Sequence, residues 1–205
     1  RNARALVAFL CGCEDRKPAT RCFYPGLLDS AEEVKQFYSQ MAKGNSAPIA
    51  IKEPSAKVRK YNNLVKVLQI EEFVDCMPSP VSVLDLGCGR GQDVYKWSRG
   101  FRKIDVRNYV GVDFAEEAVA EARRRHETLN SQAKLRQGGQ APAEYPASFY
   151  AGDLREARTF GRLRDDGNAR FDVVTIQFVL NYMAASEEGM RGFFAQIHDL
   201  LRPGG

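Results

Sequence analysis

The stretch 83–97, V-L-D-L-G-C-G-R-G-Q-D-V-Y-K-W, constrains the fold of this chain more than any other. An apolar run of strand type, 81–86, ends in glycines at alternate positions, Gly87, Gly89 and Gly91, and a helical pattern follows. Glycine at such a junction lets the backbone turn tightly and approach a ligand with no Cβ in the way. Strand, glycine loop and helix in this order open an α/β sheet, whose ligand crevice lies at the carboxyl ends of its strands. Asp85 stands at that end.

The spelling of the loop separates two ligand classes. A dinucleotide loop reads G-x-G-x-x-G, with its glycines against a pyrophosphate. Here the pattern is G-x-G-x-G, with an acid two residues before the first glycine. A carboxylate beside the loop repels a pyrophosphate but suits the cationic amino-acid head of S-adenosylmethionine (SAM), so SAM is favoured over NAD. Residues 108–113 read as a second strand. Its last residue, Asp113, lies about twenty positions past the last glycine, where a carboxylate accepts hydrogen bonds from an adenosine ribose.

A chain of 205 residues has room for one α/β domain and an N-terminal extension. Its net charge of +4 leans mildly toward polyanionic partners. No apolar run approaches a membrane span and no secretory pattern opens the chain. Five cysteines, an odd number with one inside the loop, suggest a reducing compartment. Cys11, Cys13 and Cys22 cluster, but His126 and His198 are the only histidines, and a structural zinc site wants four ligands. Free thiols and no metal are expected.

Residues 1–29 begin with an apolar helical run, 5–10, and read as an N-terminal extension or the tail of a preceding domain. Ser30 and Glu33 form a capping box before Val34, Phe37, Tyr38 and Met41, which predicts a helix. After a loop at 44–54, the basic run Lys57-Val58-Arg59-Lys60 leads into a second helix. In it Val58, Tyr61, Leu64, Val65 and Leu68 face one way, and Asn62, Asn63 and Lys66 the other. Beyond the glycine loop come a helix at 93–97, the strand 108–113 and a helix at 115–129 ending in Arg123-Arg124-Arg125-His126. Residues 131–147, rich in Gln, Gly, Ala and Pro, read as an inserted flexible loop. A short strand at 148–151 runs into Gly152-Asp153, and 171–176 has the apolar character of a buried strand. A last helix starts near Ser186, buries Met190, Phe193, Phe194, Ile197 and Leu201, and is stopped by Arg202-Pro203-Gly204-Gly205. The pattern is α/β: a doubly wound, mostly parallel, Rossmann-like sheet with a helical preface. Its last strand would be an uncovered apolar edge, so the sheet is expected to continue past Gly205.

Four segments resemble the class I SAM-dependent methyltransferases, and among them the mRNA cap guanine-N7 methyltransferases. They are R-K-Y-N-N-L-V-K (59–66), the stretch 83–97, Y-V-G-V-D-F-A-E-E-A-V-A-E-A-R-R-R (109–125) and F-D-V-V-T-I-Q-F-V-L-N-Y (171–182), with R-P-G-G closing. The resemblance spans residues 30–205, which it marks as the methyltransferase domain. The glycine loop alone indicates a SAM methyltransferase; the Asn-Asn-x-x-Lys helix and the Gln-Phe-x-x-x-Tyr segment are more specific to cap enzymes.

By this resemblance, Lys66 meets the SAM carboxylate, Asp85 its amino group, and Gly87 and Gly89 its methionine part. Asp113 takes the ribose hydroxyls and Asp153 the adenine amino group, while Gln177 and Tyr182 line the cofactor and cap pockets. Asn62, Asn63, Phe178 and Asn181 belong to the cap pocket, and Arg90 and Arg125 to the cap triphosphate. The family has lysine where Arg90 stands, and a guanine-contacting histidine where Asn181 stands. The carboxylate with which it reads the guanine edge is expected beyond Gly205.

The implied reaction moves a methyl group from SAM to N7 of a 5′ GpppN cap. N7 presents a free lone pair, so in-line alignment suffices and no dedicated catalytic base is expected. O-methylation would need a base or a metal, and DNA amino-methyltransferases carry Asn-Pro-Pro-aromatic where this chain has Q-F-V-L-N-Y. The implied partners are 5′-capped RNA and a preceding capping-enzyme domain or polymerase-associated capping factors, with no membrane. The implied compartment is the nucleus, or the cytoplasm for a viral protein. Two other readings are a SAM methyltransferase for another RNA base or small molecule, and a non-catalytic SAM-fold module that binds cap or RNA. Single residues also have plainer roles: Asp85 and Asp113 as helix caps, Asp153 as a turn residue, the arginines as a solvated helix end, and Phe178 and Tyr182 as core aromatics.

Overall fold

A computed structural model describes residues 53–77, 79–99, 104–135, 144–168, 170–180 and 186–203. The expected helices at 5–10 and 30–41, the cysteines at 11, 13 and 22, and Asn181 and Tyr182 lie outside the described residues. The elements in order are α1 (Glu53–Val74), β1 (Val81–Leu86), α2 (Val94–Arg99), β2 (Val106–Asp113), α3 (Glu116–Leu135), β3 (Ala147–Ala151), α4 (Ala157–Asp165), β4 (Val173–Ile176) and α5 (Glu187–Leu200).

The described strands form one parallel sheet in the order β3-β2-β1-β4. β1 lies between two neighbours and is buried at every residue, as its near-continuous apolar spelling requires. Its alternating side chains feed two layers. Val81 and Val83 join Ile70 of α1, Val94 and Trp97 of α2, and Val119, Ala122 and Leu129 of α3. Leu84 and Leu86 join Phe160 and Leu163 of α4 and Phe193, Ile197 and Leu200 of α5 on the opposite face. Helices cover both faces, so the doubly wound α/β reading holds. β4 is the edge of the described sheet and is half-buried throughout.

The structure differs from the sequence reading in three places. Two strands read as consecutive are separated by α4, whose inward stripe is only Thr159, Phe160 and Leu163 among arginines. That stripe is too narrow to stand out by periodicity, yet β3 and β4, at opposite edges of a parallel sheet, cannot be joined without a crossover of this kind. The expected flexible loop at 131–147 is helical as far as Leu135, in α3. At its other end Tyr145 is a core residue: its hydroxyl donates to the Val94 carbonyl at 2.7 Å, and its own carbonyl accepts from Asn130 and lies 2.9 Å from Nε2 of His126. Third, the apolar side of α1 is its outer side. Val58, Tyr61, Leu64 and Leu68 are exposed, Tyr61 by 64%, while Asn62, Lys66 and Ile70 turn inward.

The F-D-V-V and R-P-G-G segments meet. Phe171 bridges Leu201, and the buried Asp172 accepts from the Ser82 amide at 2.7 Å and from Arg202 at 2.8 Å. The carboxylate thereby ties the start of β4 to β1 and to the end of α5. Arg202 is partly exposed, so solvent screens most of its charge, and the Ser82 amide is the group most harmed by losing Asp172. Asp172→Ala should cost about 1–3 kcal/mol of unfolding free energy, the range for orphaning one buried donor. Urea denaturation of the variant beside wild type measures it.

Candidate functional site

The site is built on Asp85, near the carboxyl end of the central strand. Pairing sets its neighbours: Asp85 is in register with Gly111 of β2 and Thr175 of β4. The Thr175 hydroxyl donates to one carboxylate oxygen at 2.9 Å, and the Tyr109 hydroxyl to the other at 2.5 Å. Gly111 is a packing requirement, since a Cβ there would lie 2.8 Å from the Phe149 ring and 3.0 Å from the Cys88 sulfur. Asp85 is 2% exposed. Burial, then the negative charge of Asp93, push its carboxyl from 3.8 to about 6 against the two hydroxyl bonds and the charge of Lys66. It is therefore an ionised but costly group at neutral pH, and it does not cap a helix.

The loop that follows takes left-handed dihedrals at Gly87 (φ +80°) and Gly89 (φ +52°), which other residues rarely adopt. The surroundings of the two differ. A Cβ on Gly87 would lie 2.1 Å from a methyl of Val179, so the segment after β4 forms a roof over the start of the loop. A Cβ on Gly89 would meet nothing within 4 Å, and this is the open side of the crevice. The third glycine, Gly91, is pressed against the α3 backbone at Ala122. Cys88 is buried, and burial together with Asp85 and Asp113 raises its thiol well above the ordinary value, so it is a neutral packing group.

Asp113 closes the other side. One oxygen accepts from the Gly89 amide at 2.9 Å and the other from the Ala115 amide at 3.0 Å, which joins the loop to the start of α3. Burial raises its carboxyl above the usual range against those amide bonds. The helix-cap role and a ligand role are compatible here, because an ionised carboxylate has about four lone-pair sites and the amides of Gly89, Phe114 and Ala115 leave room among them. Asp153 is different. Arg155 engages both of its oxygens, at 2.9 and 2.5 Å, and the Arg155 amide adds a third bond. That is turn chemistry, and an adenine amino group would have to share this carboxylate with a guanidinium.

Lys66 reaches in from α1. Its Nζ lies 2.7 Å from Asp93 and 5.1 Å from the centre of the Phe178 ring. Phe178 is itself held at φ +63° and half-exposed, a conformation that bulky residues rarely adopt. Gln177 precedes it at the end of β4, partly buried. Asn62 lies one turn before Lys66 on the inward side, and Asn63 is exposed. On the far side of the loop, Glu121 pairs with Arg124 and, at 2.8 Å, with Arg125. Burial works against this carboxylate, but Arg125, Arg124 and the nearby Arg90 hold it below its usual range. The Nε of Arg90 is buried without a partner. Arg123 goes elsewhere, donating to the Phe149 carbonyl and fastening α3 to β3.

Sequence reasoning missed Asp93, Lys96, Tyr109, Thr175, Val179 and Glu121. Asp93 and Lys96 were visible at i, i+3 just past the loop. The others come from strand pairing and packing, which leave no local signal. Among the described residues no cluster of His, Cys, Asp and Glu could hold a metal, and no helix is long and apolar enough to cross a membrane.

Comparison with known proteins bears on the whole of this region. The model of the mRNA (guanine-N(7))-methyltransferase domain matches residues 28–205. The chain belongs to that family. The mRNA cap guanine-N(7) methyltransferase of Schizosaccharomyces pombe is 31% identical over 153 residues, 74% of this chain and 38% of that protein. The mRNA cap guanine-N(7) methyltransferase 1 of Oryza sativa subsp. japonica is 34% identical over 155 residues, 74% of this chain and 37% of that protein. The chain thus spans under two fifths of the length of these relatives. Among solved structures, an S-adenosylmethionine-dependent methyltransferase from Clostridium acetobutylicum is 15% identical, with a TM-score of 0.48 over 85% of this chain and 54% of that one.

The cofactor of the family is SAM, and the donor set suits it. An acid just before the loop (Asp85), a cation bound to Asp93 just past it (Lys66) and a second acid on the Gly89 amide (Asp113) are groups of the kinds that an ammonium, a carboxylate and a pair of hydroxyls require. The raised Asp85 carboxyl also has a consequence for stability. Because its folded value lies above its unfolded one, its contribution is fully present below about pH 4 and is lost as pH rises through about 6. The shift corresponds to about 3 kcal/mol. Asp85→Asn should therefore stabilise the unliganded protein near neutral pH by up to that amount, flatten the pH dependence below 6 and weaken SAM binding. Thermal melts on either side of pH 6, with and without SAM, check all three.

Proposed function

We propose that this chain is the cofactor- and cap-binding region of an mRNA cap guanine-N7 methyltransferase, acting on 5′ GpppN ends of RNA in the nucleus, or in the cytoplasm if the protein is viral. The observation that carries the reading is the convergence of Lys66, Asp85 and Asp113 on one glycine loop within a segment that matches the family over residues 28–205. SAM supplies an activated methyl group on a sulfonium. The residues of the chain hold its two ends: the charged pair Lys66 and Asp85 the amino-acid head, and Asp113 the ribose. Asp153 is assigned to the adenine side, in competition with Arg155.

Guanine N7 needs no proton removed before it attacks. The work left to the protein is to hold the base in line with the methyl group, keep water out and steady the changing charge. Asn62 and Asn63 on α1 and Gln177 and Phe178 after β4 are assigned to the base and the cofactor. Asn181 and Tyr182, outside the described residues, complete that assignment. Arg90 and Arg125 suit the triphosphate: three guanidiniums around Glu121 leave an excess of positive charge, and Arg90 has a free donor. A preceding capping-enzyme domain or polymerase-associated factors would deliver the capped RNA.

Methyl transfer by the natural protein should be seen with GpppG-capped RNA and be absent with uncapped RNA and free nucleotides. Transfer to uncapped substrates would point to another base or small molecule, and SAM binding without any transfer to a non-catalytic module. Arg90→Ala and Arg125→Ala should each raise the KM for cap and flatten its dependence on salt while leaving SAM affinity unchanged. Asn181→Ala should lower kcat/KM about tenfold, in line with one lost hydrogen bond and an unpaired buried group, whereas Asn181→His should retain activity. Steady-state kinetics at two ionic strengths measure these effects.

A further inference from the structure

Asp93 has no role in the cofactor assignments above, yet it holds the residue on which they depend. It sits two positions past Gly91, immediately before α2. Its carboxylate bridges two cations, Lys66 of α1 at 2.7 Å and Lys96 of α2 at 2.6 Å. All three side chains are largely buried. We propose that Asp93 is a positioning residue for the cofactor: by gripping Lys66 and Lys96 together it fixes the Lys66 ammonium beside the glycine loop, where it awaits the carboxylate of the amino-acid head. This rests on the SAM reading of the site.

Three observations support it. First, the charges balance around a zwitterion. Lys66 and Lys96 match Asp93 and the ionised Asp85, and a head that brings an ammonium to Asp85 and a carboxylate to Lys66 keeps that balance. Second, among the described residues the first half of α1 has little else to hold it. Val58, Tyr61, Leu64 and Leu68 are exposed, and burial in the core starts at Ile70. The bond from Lys66 to Asp93 therefore sets where this half of the helix lies against the loop. Asn62, one turn earlier on the same side, is placed through the same tie. Third, Asp93 communicates with Asp85. Burial pushes the Asp93 carboxyl upward, but Lys66 and Lys96 hold it below its usual range, so it remains an anion that raises the Asp85 carboxyl. The groups that face Asp85 are Tyr109, Thr175, Lys66, Asp93, Cys88 and Tyr145. Tyr109, Cys88 and Tyr145 have raised pKa values and remain neutral. Asp93 and Lys66 are thus the charges that tune it.

A structural ion pair would make the same contacts, so the test must separate stability from positioning. SAM affinity is measured by calorimetry for the natural protein, for Asp93→Asn, for Lys66→Ala and for the double variant. Positioning through Lys66 predicts that Asp93→Asn weakens SAM by about tenfold or more, the loss expected for a charge-assisted bond. In the Lys66→Ala background the same change should cost less than about twofold, because its target is gone. Asp85 must be ionised to meet an ammonium, so SAM binding should weaken below about pH 6, and this acid limb should move to lower pH in Asp93→Asn. Asp93→Glu keeps the charge and should bind SAM better than Asp93→Asn. If Asp93→Asn does not fold, the Asp93→Glu and Lys66→Ala cycle carries the same comparison. Losses that multiply in the double variant, an unmoved acid limb, or an unchanged SAM affinity in Asp93→Asn would each overturn the proposal. Failure of the natural protein to bind SAM would instead overturn the cofactor reading on which it stands.

Discussion

A carboxylate buried at the end of the central strand is the constraint around which the rest of the site is arranged. An ionised acid in a poorly solvated interior is costly unless donors and cations surround it. Asp85 has one hydroxyl from each neighbouring strand, Tyr109 and Thr175, and the ammonium of Lys66 at longer range. These offset only part of the cost, which is why its carboxyl stays raised. The unliganded protein gains no stability from such a group at neutral pH, and the ammonium proposed to meet it would supply the missing positive charge. Stability and function pull in opposite directions at this residue.

The glycine loop lies between two such acids and divides the charges by sign. Asp85 and Asp113 flank it with negative charge, Asp85 tied to the neighbouring strands through Tyr109 and Thr175, and Asp113 to the loop and the start of α3 through the amides of Gly89 and Ala115. Positive charge gathers at its rims: Lys66 and Lys96 on Asp93 at one, and Arg90, Arg124 and Arg125 around Glu121 at the other. One side suits a zwitterionic amino-acid head and the other a polyphosphate. Val179 roofs the start of the loop, and the open space lies over Gly89, between the two.

Helix α1 shows how far local pattern and tertiary placement can part. Val58, Tyr61, Leu64 and Leu68 are exposed, and its inward face mixes Asn62, Lys66 and Ile70. An ordinary core helix would not be laid this way. An inward face of this kind carries polar groups, and Lys66 is kept there by its bond to Asp93.

The sequence by itself determined the parallel α/β sheet, the loop, and the acids at the ends of β1 and β2, because each is written in adjacent residues. A strand buried on both faces must be continuously apolar, a tight turn beside a ligand must be glycine, and Asp85 and Asp113 interrupt those runs visibly. Helix α4 was not legible, since its three buried residues gain stability only by packing on the sheet and on α5. Nor was the burial of Tyr145, in a segment whose composition reads as loop. Tertiary structure alone decided which groups face Asp85, that both oxygens of Asp153 rest on Arg155, that Val179 covers Gly87, and that α1 turns Lys66 toward Asp93. Each of these joins residues on different elements or sets one conformation among several. Such contacts depend on strand register and helix placement, which follow from the packing of the whole domain rather than from any local run of residues.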